Sequence, residues 1–375
     1  ENAVIINGSI TPGTYSLITW TGTLTGTVNN FNLLGISGLP VKLIIDNKTL
    51  KLVVEATRSA SQVAWTGATD TNWDYSSTNF QTQTIPHQST FFVQNDSVTF
   101  DDNATQTTVQ LGELMITKGV SINNTAKSYI FAGTGGIAGT GILTKTGKGL
   151  LDLGNIQSTY TGKTIYTNAL VKVSALNQSS IPGPLGQAAI VPANWVMTNT
   201  RLIVDAVNSN TDRGMTIQGT DTIEIPKSNG VVSITGTITG TGGLVKSGPG
   251  QLNISSSNPN TFTGETVIKG GTVGLGTLEM NRTGFGTSGK IRMENGARIR
   301  MFDNSGDYNQ KATWYITVPE NSTVGIDASS RCNINGSISG AGTLNYYVPY
   351  VRADLVAGGG NNFTGKINVT GRDFR

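Results

Sequence analysis

The sequence predicts an all-β chain wound as a right-handed parallel β-helix, and three observations predict it. Composition is rich in glycine and poor in charge, one motif returns about every hundred residues, and short strands alternate with turn residues over most of the chain. Charged residues make up 13% of the 375, well under the usual quarter of a soluble protein, while Gly reaches 48 residues. Disorder needs low hydrophobicity together with high net charge. Here apolar residues are 37% and the net charge is +3, so the chain is expected to fold and to be solvated by hydroxyls and amides.

The motif is the strongest signal, because self-similarity at a fixed period marks a repeat architecture. Gly139-Thr-Gly-Ile-Leu-Thr-Lys145-Thr-Gly-Lys-Gly149-Leu-Leu-Asp-Leu153 leads, after a polar spacer, to Tyr160-Thr-Gly162. Gly240-Thr-Gly-Gly-Leu244-Val-Lys246-Ser-Gly-Pro-Gly250-Gln-Leu252-Asn-Ile254 leads to Phe262-Thr-Gly264. Gly340-Ala-Gly-Thr-Leu344-Asn-Tyr346 leads, through Arg352-Ala-Asp-Leu355, to Phe363-Thr-Gly365. The starts at Gly139, Gly240 and Gly340 stand 101 and 100 residues apart. In the third copy Val348, Tyr350 and their neighbours replace Lys-x-Gly-x-Gly, as expected of a variant turn or the approach to a cap.

Within a copy Leu143, Lys145, Leu151 and Leu153 alternate with polar or small residues, the period of a half-buried strand. Glycines bracket each run where the chain must turn. Between copies lie further short strands: 201–204, 222–225, 231–234, 290–293, 297–301 and 314–318. No window carries sustained helical spacing with caps. A coil of roughly 20–25 residues would stack each turn on the last. Tandem β-sandwiches of about a hundred residues are the alternative, disfavoured by the many glycines in strands that would have to pack two faces.

Residues 1–60 read as a β-rich segment, and 61–375 as the β-helix with repeats near 139–186, 240–276 and 340–370. Val41–Val54 predicts a hairpin about Asp46-Asn-Lys48. Ser59-Ala-Ser-Gln62 is a polar joint. Trp65-Thr-Gly67 and Asn72-Trp73 are expected to pack at the start of the next segment.

These residues resemble the autotransporter-associated β-strand repeat of bacterial surface proteins. The resemblance is carried by Gly-x-Gly-x-Leu-x-Lys-x-Gly-x-Gly-x-Leu-x-Leu, then aromatic-Thr-Gly and a Thr-rich strand, over 139–186 and 240–276. It implies a passenger-type β-helix fragment at the surface of, or outside, a Gram-negative bacterium. Segment 13–54 is similar to the close of a preceding block. With Glu1 in place of Met and no apolar leader, a monomeric piece of a longer polypeptide is expected.

Sequence chemistry points away from catalysis. His87 is the single histidine and Cys332 the single cysteine. They are read as a solvated loop side chain and a buried thiol, with neither an intramolecular disulfide nor a zinc site. Asp101-Asp102-Asn103 is the densest acidic patch, a turn or a weak Ca²⁺ candidate. Asp152, Glu224, Glu265 and Glu294 could supply the carboxylate pair of a glycoside hydrolase. Arg298, Arg300 and Arg352 could serve a polysaccharide lyase. None stands in a recognised constellation, and no cofactor or metal is expected. No run of Lys or Arg tracks a phosphate backbone, and no apolar run is long enough to span a membrane as a helix.

The reading is a non-catalytic surface protein, an adhesin or structural stalk contacting a polysaccharide or host glycan. Trp65, Trp73, Tyr346 and Tyr350 are the candidate ring-stacking residues. The alternatives are the β-helix of a polysaccharide lyase or glycoside hydrolase, and a spacer without a ligand.

Overall fold

A half-buried strand needs neighbours along both edges, and in this chain the neighbour is the next turn of the same polypeptide. A computed structural model describes residues 2–5, 13–34, 41–54, 58–275, 284–301, 311–328, 333–357 and 362–374. From Gln62 onward it is a parallel β-solenoid of about ten turns. Val98, Val120 and Leu143 stand in register, 22 and 23 residues apart, which is one turn each. Parallel pairing of this kind rules out the tandem sandwiches, whose sheets are antiparallel.

Three faces surround one core. Face I runs from Ser97–Asp101 through Gly119–Asn123, Ile142–Thr146, Thr164–Thr167, Trp195–Thr198 and Met215–Gln218 to Ile238–Gly240. Face II begins at Thr108–Gln110 and passes through Leu150–Asp152, Arg201–Val204 and Gly243–Ser247 to Lys290–Met293 and Lys311–Val318. Face III is a full sheet from Asn208–Thr211 through Val231–Ile234, Gln251–Ile254, Gly271–Leu275, Ala297–Met301 and Thr323–Ala328. Alternate residues of each strand point inward, so Val98, Val120 and Leu143 form one buried column and Leu151, Val171 and Leu202 another. Each Å² of apolar surface so removed from water contributes about 25 cal/mol.

After the first turn, the longest step between described partners exceeds the expected 20–25 residues. Ile165 and Val196 are partners although 31 residues apart. The excess is a side loop after Val173, and the next turn holds it down. Asn177 Nδ2 donates to the carbonyls of Ile181 and Gly186, and the buried Arg213 donates to those of Gly186 and Ala188. Ser179 donates to Asp212 through its N–H and its hydroxyl, both at 2.7 Å.

The solenoid starts with an antiparallel cap. Phe80–Thr82 pairs antiparallel with Gln62–Trp65, and Ser89–Thr90 with Phe80 and Gln81. This covers the edge of face I that would otherwise template another strand. Arg58 grips the fully buried Asp96, with N–O distances of 2.7 and 2.6 Å. The Asp96 carboxylate also accepts the Ser61 and Val93 N–H groups.

Before the cap, Asn2–Ile5 pairs in parallel with Phe31–Leu34. Gly13–Thr19, Thr49–Val54 and Val41–Asp46 form an antiparallel sheet. The predicted hairpin is present, with Asn47 and Lys48 both at positive φ as its right-handed twist demands. Leu50, Leu52 and Val54 are buried, outside the continuous core that runs from Val63 to Val348.

Candidate functional site

Three of the four aromatic residues proposed from sequence to stack on sugar, Trp65, Trp73 and Tyr346, face inward. Trp65 is 1% exposed and donates its indole N–H to the Gln106 carbonyl at 2.8 Å. Trp73 is fully buried, with ring centroids of Phe92 at 5.5 Å, Phe100 at 5.3 Å and Phe80 at 6.1 Å. The two indoles plug the first turn of the solenoid, so the expected packing is found and the stacking role falls away. Tyr346 is also fully buried, on an inward position of Thr343–Ala357. A sugar cannot reach a ring that the core already covers. Tyr350 belongs to the same strand, and its side chain lies outside the described residues, as does Cys332.

The polar candidates are tied into local structure. Asp102 accepts the Thr125, Ala126 and Lys127 N–H groups from the turn above, and those backbone bonds, that of Lys127 first, hold its carboxyl below the ordinary range. Asp101 accepts the Asn103 N–H at 2.8 Å. The acidic patch is therefore a turn-capping device. His87 Nδ1 meets the Thr82 carbonyl at 2.8 Å within the cap. Among the described residues no group of three His, Cys, Asp or Glu side chains converges as a metal site would require.

Stacking brings each candidate carboxylate to a cation. Asp152 meets Lys172 at 3.0 Å, and Glu224 meets Arg201 at 2.5 Å. Arg292 lies between Glu265 at 3.7 Å and Glu294 at 3.1 Å. Arg298 meets Asp327 at 2.9 Å. The side chains of Arg352 and its neighbours lie outside the described residues.

What remains exposed is a set of polar ladders on the outer faces. On face III, Asn368 donates to Asn345 at 2.8 Å and Asn253 to Ser233 at 3.2 Å. Tyr347 stands in register with Asp327 and is 44% exposed. On face I, Thr144 bonds Ser121 and Thr146 bonds Asn123. Sequence reasoning missed Tyr347 because it adjoins Tyr346, and only the strand phase tells which of the two rings points out.

Two lysines carry the inverse surprise. Lys145 and Lys246 are fully buried on inward positions of their strands. Lys145 Nζ donates to the carbonyls of Thr146 and Gly147 at 2.6 and 2.5 Å. Lys246 Nζ donates to those of Ser247 and Gly248 at 2.9 and 2.8 Å. Burial pushes both ammonium groups down to about 8.

The chain is similar to the adhesin BmaC autotransporter of Brucella suis biovar 1 (strain 1330), at 34% identity over 193 residues. The match covers 51% of this chain and 5% of that protein, so the chain spans a small part of its relative. No protein family matches the chain, and no solved structure does. No helix among the described residues is long and apolar enough to cross a membrane.

Proposed function

We propose that this chain is a segment of the stalk of an autotransporter-type adhesin, carried outside a Gram-negative cell. The observation that supports it is the similarity over 193 residues to an adhesin, lying on a chain that folds as a β-solenoid. A solenoid suits this work because each turn contacts only its neighbours, and length is added without changing the core.

The adhesive surface in this reading is the outer polar face, and its partner a glycan. Side-chain amides and hydroxyls in register offer donors and acceptors along the axis, and the exposed Tyr347 ring beside Asp327 offers a flat apolar contact. Hydrolysis has less support, since Asp152, Glu224, Glu265 and Glu294 are each tied to a basic side chain.

The test is a glycan array probed with the purified chain, with reducing-sugar release measured on the same panel. Binding without release supports the adhesive stalk, and loss of that binding in Tyr347→Ala places it on face III. Release of sugar, or silence across the array, would overturn the glycan-adhesive reading in favour of an enzyme or a spacer.

A further inference from the structure

The three copies of the sequence motif do not stack on one another. Leu143 and Lys145 lie on face I, Leu244 and Lys246 on face II, and Leu344 and Tyr346 on face III. Yet each copy builds the same local structure. Gly139, Gly240 and Gly340 have φ of 105, 112 and 100°. Their carbonyls accept the N–H groups of Thr161, Thr263 and Thr364 from the following turn, at 2.9, 3.1 and 2.9 Å. A Cβ on Gly162, Gly264 or Gly365 would meet the carbonyl oxygen of Gly141, Gly242 or Gly342 at 1.9, 2.4 or 1.9 Å. The same corner is thus made three times, at three different edges of the prism.

The register accounts for the shift. Thr144 stands in line with Ile165, Val196, Thr216 and Thr239, four turns along face I. The chain then rounds the Gly240-Thr-Gly242 corner to Val245, the motif counterpart of Thr144, on face II. From Val245 four turns lead through Val267, Arg292 and Thr317 to Ser339. The Gly340-Ala-Gly342 corner then delivers Asn345 to face III. Each unit is four turns plus one face.

We propose that the hundred-residue unit is a screw operator, in which the motif specifies a corner rather than a face and each copy repeats its predecessor about a third of a turn further round the axis. The side loop follows the same rule. Gln187 returns from the first loop to donate to the Tyr160 carbonyl, and Thr287 donates to the matching Phe262 carbonyl, at 2.7 and 2.9 Å. The first loop leaves after a face II strand, whereas Thr287 comes after a face III strand. Elements carried by successive copies are therefore displayed to different sides of the stalk. A partner approaching from one side meets a given element once in three copies, whatever that partner is.

Two internal deletions in the full chain separate this from a scheme in which each strand is specific to its face. Deleting Gly139–Thr239 removes one unit of 101 residues and joins Ala138 to Gly240. Every later strand moves to a new face, but Gly248-Pro-Gly250 inherits the bed of Gly147-Lys-Gly149 on the 124–128 corner. Deleting Thr144–Ile238 removes four turns of 95 residues and leaves every later strand on its face. It sets the short 241–242 corner on the longer 124–128 corner. The screw predicts that the 101-residue deletion keeps native far-ultraviolet dichroism per residue and a cooperative melt, with the higher Tm of the two. The reverse order, equal Tm values, or failure of both variants to fold would overturn it.

Discussion

Lys246 Nζ lies 2.8 Å from the carbonyl oxygen of Gly248, closing the corner that its own strand enters, and Lys145 makes the same bond to Gly147 one unit earlier. A buried cation without a carboxylate is costly unless its protons are used, and here they bond carbonyls of the corner. Lys246→Met keeps the length and removes the donors. It is expected to lower stability by about 1–3 kcal/mol in a urea titration. An unchanged or raised midpoint would show that the carbonyls find water unaided.

The same lysines make stability depend on pH on the alkaline side. Their folded value of about 8 lies below the 10.5 of an exposed lysine, so between those pH values the unfolded chain holds more protons than the folded one. Stability should therefore rise as pH climbs from 8 towards 10, before tyrosine ionisation opposes it. In a Lys145→Met, Lys246→Met double variant the rise should flatten. A slope identical to that of the parent would refute this assignment.

Asp221 acts in the acid range with the opposite sense. Its buried carboxylate accepts the Thr200 and Gln218 N–H groups at 2.8 and 3.0 Å, but burial wins and raises it to about 6. Between about 4 and 6 the folded state holds the extra proton, so this group's contribution falls as pH rises through that window. Comparing thermal melts of the parent and Asp221→Asn at pH 4.5 and 6.5 isolates the effect. The difference between the two pH values should shrink in the variant.

At the start of the solenoid, Arg58 holds Asp96, which water does not reach. Asp96→Ala strands the guanidinium and frees the Ser61 and Val93 N–H groups. A loss of about 3–5 kcal/mol is expected, as for other broken buried pairs. Hydrogen exchange should show the loss first in the cap, residues 62–92. Uniform deprotection along the chain would mean that the cap is not a separate point of weakness.

Trp73→Ala removes the centre of the aromatic plug and is expected to cost about 3–5 kcal/mol. Near-ultraviolet dichroism should lose its aromatic signal, while glycan binding by the remaining folded protein should stay as it was. Selective loss of binding with stability intact would restore the stacking role that burial argues against.

Much of this protein was legible in one dimension. Alternation at Leu143, Lys145, Leu151 and Leu153 marked strands, glycine marked corners, and recurrence at Gly139, Gly240 and Gly340 marked a solenoid, because strand period and backbone freedom are local properties of the chain. The Val41–Val54 hairpin followed from the same local rules. Three things were decided only in space. Trp65 and Trp73 turned inward because an end-plug needs large rings, and composition cannot say which side of a strand meets the core. Tyr346 was buried and Tyr347 exposed by strand phase, which pairing with the next turn sets. The copies settled on three faces rather than one because each hundred-residue unit holds four turns and one further face, a count set by the summed lengths of strands and corners. A spacing of 101 residues along the chain carries no record of how many corners it has rounded.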